Sequence, residues 1–347
     1  MGATRDTLIL VTATVSDTQK PAQAGFCVSG ITDFADGISA IDTHHIRPAL
    51  DASYLLIRNG RAAFVDTGTA LAVPHLLAAL DQKKLSAEAV DWIFLTHIHL
   101  DHAGGAGALL KHLPNARVLV HPKGAPHLVD PTKLIQATIG VYGADFFAAT
   151  YGEILPIPAD RLQVSEDGVP LLWVDRTYQC LHTPGHALHH YVLWDPLARA
   201  VFAGDNFGVS YRQLDVSGRA FVMPATTPSH FDPSEMHRSI DRIAALQPAA
   251  VYLTHYGQVT EIERLAQDLH RGVDAYVAIA DRHSAGFDRT VRMCAELFEW
   301  LSGELDAHGD QSDVKTRHEV LDLDIDLNVQ GLISWATRTG TTKLSGT

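Results

Sequence analysis

From about Asp51 to Tyr256, short apolar runs alternate with segments whose apolar residues recur at helical spacing. Ser53–Ile57 and Ala62–Val65 read as strands, and Asn59-Gly60 between them is a two-residue hairpin signal. Ala70–Leu80 reads as a helix that tolerates Pro74 only in its first turn. Trp92–Leu95 reads as a buried strand, Gly105–Leu113 as a helix and Arg117–Val120 as a strand. Further strands are predicted at Leu171–Val174, Tyr178–Leu181, Tyr191–Trp194, Ala200–Ala203 and Ala250–Leu253. Asp232-Pro233-Ser234-Glu235 sets an N-cap, an N1 proline and an N3 glutamate in order, so a helix is expected to about Leu246. Strands alternating with helices predict an α/β fold.

The pattern changes after Tyr256. Thr260 and Glu263 have capping-box spacing, and Ile262, Leu265, Leu269, Val273 and Tyr276 follow at helical spacing. Val291, Cys294, Leu297, Phe298, Leu301 and Leu305 form a second stripe, which ends at a polar break over Asp306–Asp313. Leu321–Trp335 fits a helix better than a strand. Residues 259–347 are thus expected to form a mainly helical extension to a catalytic domain at 1–258, and the extension could pack on the core, close over a site or form a dimer interface. Exposed apolar helices of that size are unusual in a monomer, which predicts a homodimer. The stretch 122–168 lacks clear strands and carries Tyr142, Phe146, Phe147 and Tyr151, reading either as a lid insertion or as a small satellite cluster.

Composition narrows the function classes. With 347 residues and roughly 150 per domain, about two domains are expected. Hydrophobic residues at 46% and charged residues at 19% exclude global disorder. A formal net charge of −13 argues against a protein that grips a phosphate backbone, so no nucleic-acid partner is expected. Cys27, Cys180 and Cys294 are widely spaced, with no CxxC, which argues against a disulfide scaffold or thiolate zinc site. Leu8–Val11 is the longest apolar run near the start, shorter than a signal core, and no run approaches a membrane span. Asp6 breaks the myristoylation pattern after Gly2. The expectation is a cytoplasmic protein with no membrane partner.

The densest chemistry lies in Thr96-His97-Ile98-His99-Leu100-Asp101-His102-Ala103-Gly104-Gly105. In an extended segment alternate residues share a face, so His97 and His99 can aim at one point. Asp101 and His102 fall on the following turn and can face a second point beside it. Neutral imidazole and carboxylate suit borderline divalent metals. The same event recurs along the chain, as an apolar strand ends and a ligand-type residue follows. Thr183-Pro184-Gly185 leads to His186, Ala203-Gly204 to Asp205 and Thr254 to His255. Strand ends along one edge of an α/β sheet converge. Together these residues make a two-metal set.

The pieces T-H-I-H-L-D-H-A-G-G, T-P-G-H, A-G-D, L-T-H and Asp66-Thr67-Gly68 resemble the metallo-β-lactamase-fold hydrolases over about residues 50–256. The resemblance implies an αββα sandwich with the site at one edge. It implies that His97, His99 and His186 hold one metal, that Asp101, His102 and His255 hold a second, and that Asp205 bridges them. Asp66 and His190 would orient these ligands from behind. The cofactors expected are two divalent ions, zinc first, with manganese or iron as alternatives.

The function expected is a dinuclear hydrolase acting on a small ester-like molecule: a thioester, lactone or phosphotriester. A hydroxide bridging the metals would attack, and Asp101 would pass a proton to the leaving group. The alternatives are a mononuclear iron persulfide dioxygenase, which shares the H-x-H-x-D-H segment, and a non-enzymatic metal-containing interaction protein. Lactone hydrolases of this family carry a Tyr shortly after the bridging Asp; here Asn206-Phe207-Gly208 follows, and the nearest is Tyr211. Beyond the shared metal motif there is little likeness to glyoxalase II, because the helical tail shows no obvious basic cluster for glutathione.

Overall fold

The computed structural model describes residues 30–340; the apolar run Leu8–Val11, the Gly2 position and Cys27 lie outside them. Two sheets face one another, with helices on both outer sides. The first sheet holds seven strands in chain order: β1 (Ile31–Asp33), β2 (Ile38–Asp42), β3 (Ala52–Arg58), β4 (Arg61–Val65), β5 (Val90–Phe94), β6 (Arg117–Val120) and β7 (Leu162–Val164). Strands β1 to β4 pair antiparallel and β4 to β7 parallel. The second sheet is formed by β8 (Pro170–Trp173), β9 (Arg176–His182), β10 (Tyr191–Asp195), β11 (Ala200–Gly204), β12 (Ala250–Leu253) and β13 (Gly257–Val259), also in chain order. Its β11–β12 pair is parallel and the others are antiparallel.

Side-chain alternation explains the layering. Along β3, Tyr54 and Leu56 enter the core between the sheets, while Leu55 enters the core under the first helical layer. Along β11, Ala200 and Phe202 face inward, and Val201 and Ala203 face the second helical layer. Because each sheet buries both faces, these strands read as nearly continuous apolar runs. Asn59 and Gly60 both take positive φ, 46° and 77°, as a type I′ hairpin requires.

The first helical layer contains α1 (Val73–Gln82), α2 (Leu100–Ala103), α3 (Ala106–Leu110) and α4 (Ala125–Val129), followed by α5 (Thr132–Tyr142) and α6 (Ala144–Thr150). Pro74 sits in the first turn of α1, as expected. The stretch 122–168 differs from the expectation in carrying a strand, β7, which pairs parallel with β6. Three residues are too few to show a period, so hydrophobic pattern alone could not reveal it.

The second layer consists of α7 (Pro233–Ala245), α8 (Ile262–Arg282), α9 (Arg289–His308) and α10 (Val314–Thr339). Asp232 caps α7 by accepting from the Glu235 N–H at 3.0 Å. The start of α8 corrects the expected capping box. Glu261, not Thr260, occupies the N-cap, with no side-chain cap bond, and its carboxylate turns to Arg264 at 2.6 Å. Gly309 closes α9 in the left-handed region, and Asp313 caps α10 through the Thr316 N–H. Leu269, Leu297, Leu301 and Leu332 of these helices share one continuous core with Val201 and Val251 of the second sheet. Most of the apolar stripe residues of the extension are thus buried within one chain, although Val291 at the start of the second stripe is exposed. Cys180 and Cys294 are free thiols, and no helix among the described residues is long and apolar enough to cross a membrane.

Candidate metal centre

The site lies where the two sheets close on each other at one edge. The Ala52 N–H donates to Thr254 O and the Tyr191 N–H to Thr96 O, both at 2.8 Å, tying the ends of one sheet to the ends of the other. On that edge β4 ends beside β5, and Asp66 follows β4. Asp66 is fully buried and accepts from the Thr96 N–H at 2.8 Å and from the hydroxyls of Thr96 and Thr254 at 2.8 and 2.9 Å. These bonds fix the backbone from which His97 and His99 project. His99 occupies the N-cap of α2, so Asp101 and His102 fall in its first turn. Gly105 allows the helical segment to fold back, since a Cβ there would lie 2.8 Å from Thr69 O.

All seven residues read from the sequence as ligands come together. His97 Nε2 lies 2.8 Å from His99 Nδ1, which lies 3.1 Å from His186 Nε2. His102 Nε2 is 3.2 Å from Asp205 Oδ1 and 3.7 Å from Asp101 Oδ2. His255 Nε2 is 3.4 Å from Asp101 Oδ2, and His186 Nε2 is 3.2 Å from Asp205 Oδ2. Three triads could each hold a metal ion, with donor atoms within 4.8 Å of one another: His97/His99/His186, His97/His102/Asp205 and Asp101/His102/His255. Asp205 stands between the outer two, with one oxygen toward His186 and the other toward His102.

The hydrogen bonds behind the donors set their lone pairs. His186 Nδ1 donates to Ala225 O at 3.0 Å, and His255 Nδ1 donates to Leu50 O at 2.9 Å. A carbonyl only accepts, so in each ring Nδ1 carries the hydrogen and Nε2 presents a lone pair to the site. His102 is oriented likewise, with Nδ1 on Asp66 Oδ2 at 2.8 Å. His190 behaves differently. Its Nε2 accepts from the Asp205 N–H at 3.3 Å and its Nδ1 meets the Thr183 hydroxyl at 3.0 Å, so both ring nitrogens are engaged behind Asp205. Gly204 permits this approach, because a Cβ there would lie 2.6 Å from His190 Nε2. His189, the neighbouring histidine, faces the cavity instead.

The donor set fits divalent cations on its own chemistry. His102 Nε2 and Asp205 Oδ1 are buried and make no hydrogen bond, which is costly for such atoms unless another partner satisfies them. Burial, with the neighbouring histidines, holds His97 far below the ordinary imidazole value, and burial beside His186 holds His99 at about 3. Both are thus neutral donors. Burial alone would lower His255, but Asp205 and Asp101 outweigh it and push it up to about 10. Burial would raise the carboxyls of Asp101 and Asp205, yet His102 and its neighbours hold both well below the usual range. The two ionised carboxylates stabilise positive charge at this point, carried by His102 and His255 when no cation is bound.

A cavity of about 410 Å³ opens onto Asp101, His186, Asp205 and His255. Helix α5 forms one wall and α10 another. The aromatic residues of 122–168 gather around buried Tyr151, with Tyr142 and Phe147 at ring-centroid distances of 5.9 and 5.3 Å. Sequence reasoning missed the α10 contribution, because Leu323, Asp324 and Leu327 lie far along the chain with no motif around them. His45 and His230, which stand in no motif, line the cavity as well.

The sequence profile of the metallo-beta-lactamase superfamily matches residues 48–255. The chain is similar to the hydroxyacylglutathione hydrolase of Aeromonas hydrophila subsp. hydrophila, with 30% identity over 212 residues, covering 60% of this chain and 63% of that one. It is similar to the hydroxyacylglutathione hydrolase of Pseudomonas aeruginosa strain LESB58, with 30% identity over 223 residues and coverage of 63% and 64%. These matches run well beyond the metal motif, which corrects the expectation of little likeness to glyoxalase II, the hydroxyacylglutathione hydrolase, and they span slightly less than two thirds of the length of these relatives. A metallo-beta-lactamase superfamily protein from Sulfolobus tokodaii superposes with a TM-score of 0.60 at 22% identity, covering 86% of this chain and 98% of that one. A metallo-beta-lactamase family protein from Thermus thermophilus gives 0.60 at 20%, covering 88% and 94%. At these identities the likeness is one of fold.

Proposed function

The chain belongs to the metallo-beta-lactamase superfamily, and from that premise we propose that it is a dinuclear metal-dependent hydrolase of a small ester-like substrate. The observation that carries this reading is the pair of outer triads with Asp205 between them. His97, His99 and His186 would hold one ion, Asp101, His102 and His255 the other, and Asp205 would bridge. Asp66 and His190 would keep the donors in place. Zinc is the ion proposed. Bound divalent ions supply Lewis acidity and lower the pKa of a coordinated water to about 7.

The chain's own groups do the rest. Asp101 is half-buried at the cavity wall, where its carboxylate can pass a proton to the departing group. Among ester-like bonds the thioester is favoured by the likeness to hydroxyacylglutathione hydrolases. The complete second triad supports two ions over the single iron of a persulfide dioxygenase. In the extension, the described helices α8 to α10 pack on the second sheet, and α10 supplies part of the cavity wall.

The test is turnover of a thioester, a lactone and a phosphotriester by purified protein, by chelated protein and by protein reloaded with zinc. Hydrolysis of at least one that disappears on chelation and returns with zinc is expected. Turnover indifferent to chelation, or none on any class, would contradict the reading.

A further inference from the structure

The walls of the cavity carry information about the substrate that the metal donors do not. Helix α5 has no fully buried residue although much of it is apolar. Leu134 and Val141 of α5 face the cavity, as do Leu323 and Leu327 of α10 and Ile46 and Leu50 from the loop before β3. Leu134, Val141, Leu323 and Leu327 are only half-buried, and Ile46 is 48% exposed. Aliphatic surface left uncovered by protein and converging on a cavity marks a binding wall.

Charge gives the complementary half. Apart from the metal donors, the cavity lining among the described residues holds one lysine, Lys133, and one acid, Asp324. Lys133 is exposed, at the rim. Asp324 is already engaged by the Tyr211 hydroxyl at 3.0 Å. His45, His189 and His230 complete this part of the lining with imidazole rings rather than charged side chains of Lys, Arg, Asp or Glu. A glutathione moiety carries two carboxylates and an ammonium, and for the two carboxylates the lining offers one exposed cation, Lys133. The α10 wall also lies outside the residues matched by the family profile, 48–255.

We propose that the acyl part of the substrate is an uncharged aliphatic or aryl group seated between α5 and α10, and that Leu134, Leu323 and Leu327 determine this specificity. The inference rests on the hydrolase reading for its chemistry. Water's oxygen bonds to the acyl carbon, the carbon–sulfur or carbon–oxygen bond breaks, and a proton goes to the departing thiol or alcohol.

Zinc-loaded full-length protein is assayed with acetyl, butyryl, hexanoyl and octanoyl thioesters of N-acetylcysteamine and with S-lactoylglutathione. Each added methylene is expected to raise kcat/KM about fourfold until the cavity is filled. Octanoyl should exceed acetyl by about 100-fold or more, and S-lactoylglutathione should be poor. Leu327→Asn and, separately, Leu134→Gln should reduce the octanoyl-to-acetyl ratio about tenfold, with folding checked by thermal melting. Binding of octanoate against butyrate is measured by calorimetry as a readout independent of turnover, and octanoate should bind at least tenfold tighter. A flat acyl series, a preference for S-lactoylglutathione, or equal binding of the two acids would overturn the proposal. Absence of zinc-dependent turnover on every substrate, with octanoate still preferred in binding, would overturn the hydrolase reading and leave the apolar wall supported.

Discussion

The carboxylate of Asp324, in the middle of the last helix, accepts a hydrogen bond from the Tyr211 hydroxyl at 3.0 Å, and Tyr211 follows Asp205, the proposed bridge, by six residues. This bond joins the C-terminal extension to the loop that leaves the metal centre. It also explains why Tyr211 is not free to act as the tyrosine of the lactone hydrolases does: its hydroxyl already has a partner, and Arg47 covers its ring at 4.5 Å.

Asp324 makes stability depend on pH. Burial pushes its carboxyl from 3.8 up to about 6, so the folded chain holds the proton more tightly than the unfolded chain. A raised carboxyl opposes folding once ionised, so its effect is absent below about pH 4 and grows as the pH rises through 6. Asp324→Asn keeps an acceptor for Tyr211 and removes the titration. In chelated protein the variant should gain about 1 kcal/mol on the parent between pH 5 and pH 7.5, read from urea unfolding. Parallel stabilities at the two pH values would contradict this.

Asp66 touches no cavity surface but collects four donors: the Thr96 N–H, two threonine hydroxyls and His102 Nδ1. Asp66→Asn sets an amide N–H against at least one of them. Zinc affinity should fall roughly 10–100-fold, as measured by competition with a chromophoric chelator. Unchanged affinity would show that His102 is held by other means.

The strand ends and their metal-type residues were legible in the sequence because each is local. A strand of four or five apolar residues followed within a few positions by His or Asp needs no knowledge of distant chain. The same holds for the Asn59-Gly60 turn and the Asp232 cap. The cavity was not legible. Leu134 and Leu327 meet across it only after β7 returns to β6 and three helices fold over the second sheet, and helical spacing cannot say whether a leucine faces core or cavity. Thr260 misled for a related reason: the spacing of a capping box is present, but Glu261, paired with Arg264, occupies the cap position.

The extension shares its core with the second sheet, so a cavity there should weaken the whole fold. Leu297, fully buried in α9, is 18 positions beyond Ile279 in the same cluster. Leu297→Ala should cost roughly 2–5 kcal/mol in a single unfolding transition. A separate early transition would instead identify residues 259–347 as an independently melting unit.

Asp205 faces both outer triads, so its loss should affect both ions. In wild-type protein, zinc at about 100 times its dissociation constant should add about 2.7 kcal/mol of stability to the chelated form. Asp205→Ala should lose most of that gain in a thermal-shift titration. A full shift in the variant would show that the ions bind without the shared carboxylate.

The decisive measurement is elemental mass spectrometry of gently purified protein, giving metal identity and number per chain. Close to two zinc ions per chain is the expected result. Close to one iron per chain, with no second ion taken up on zinc addition, would contradict a dinuclear hydrolase and turn attention to oxygen chemistry on a persulfide.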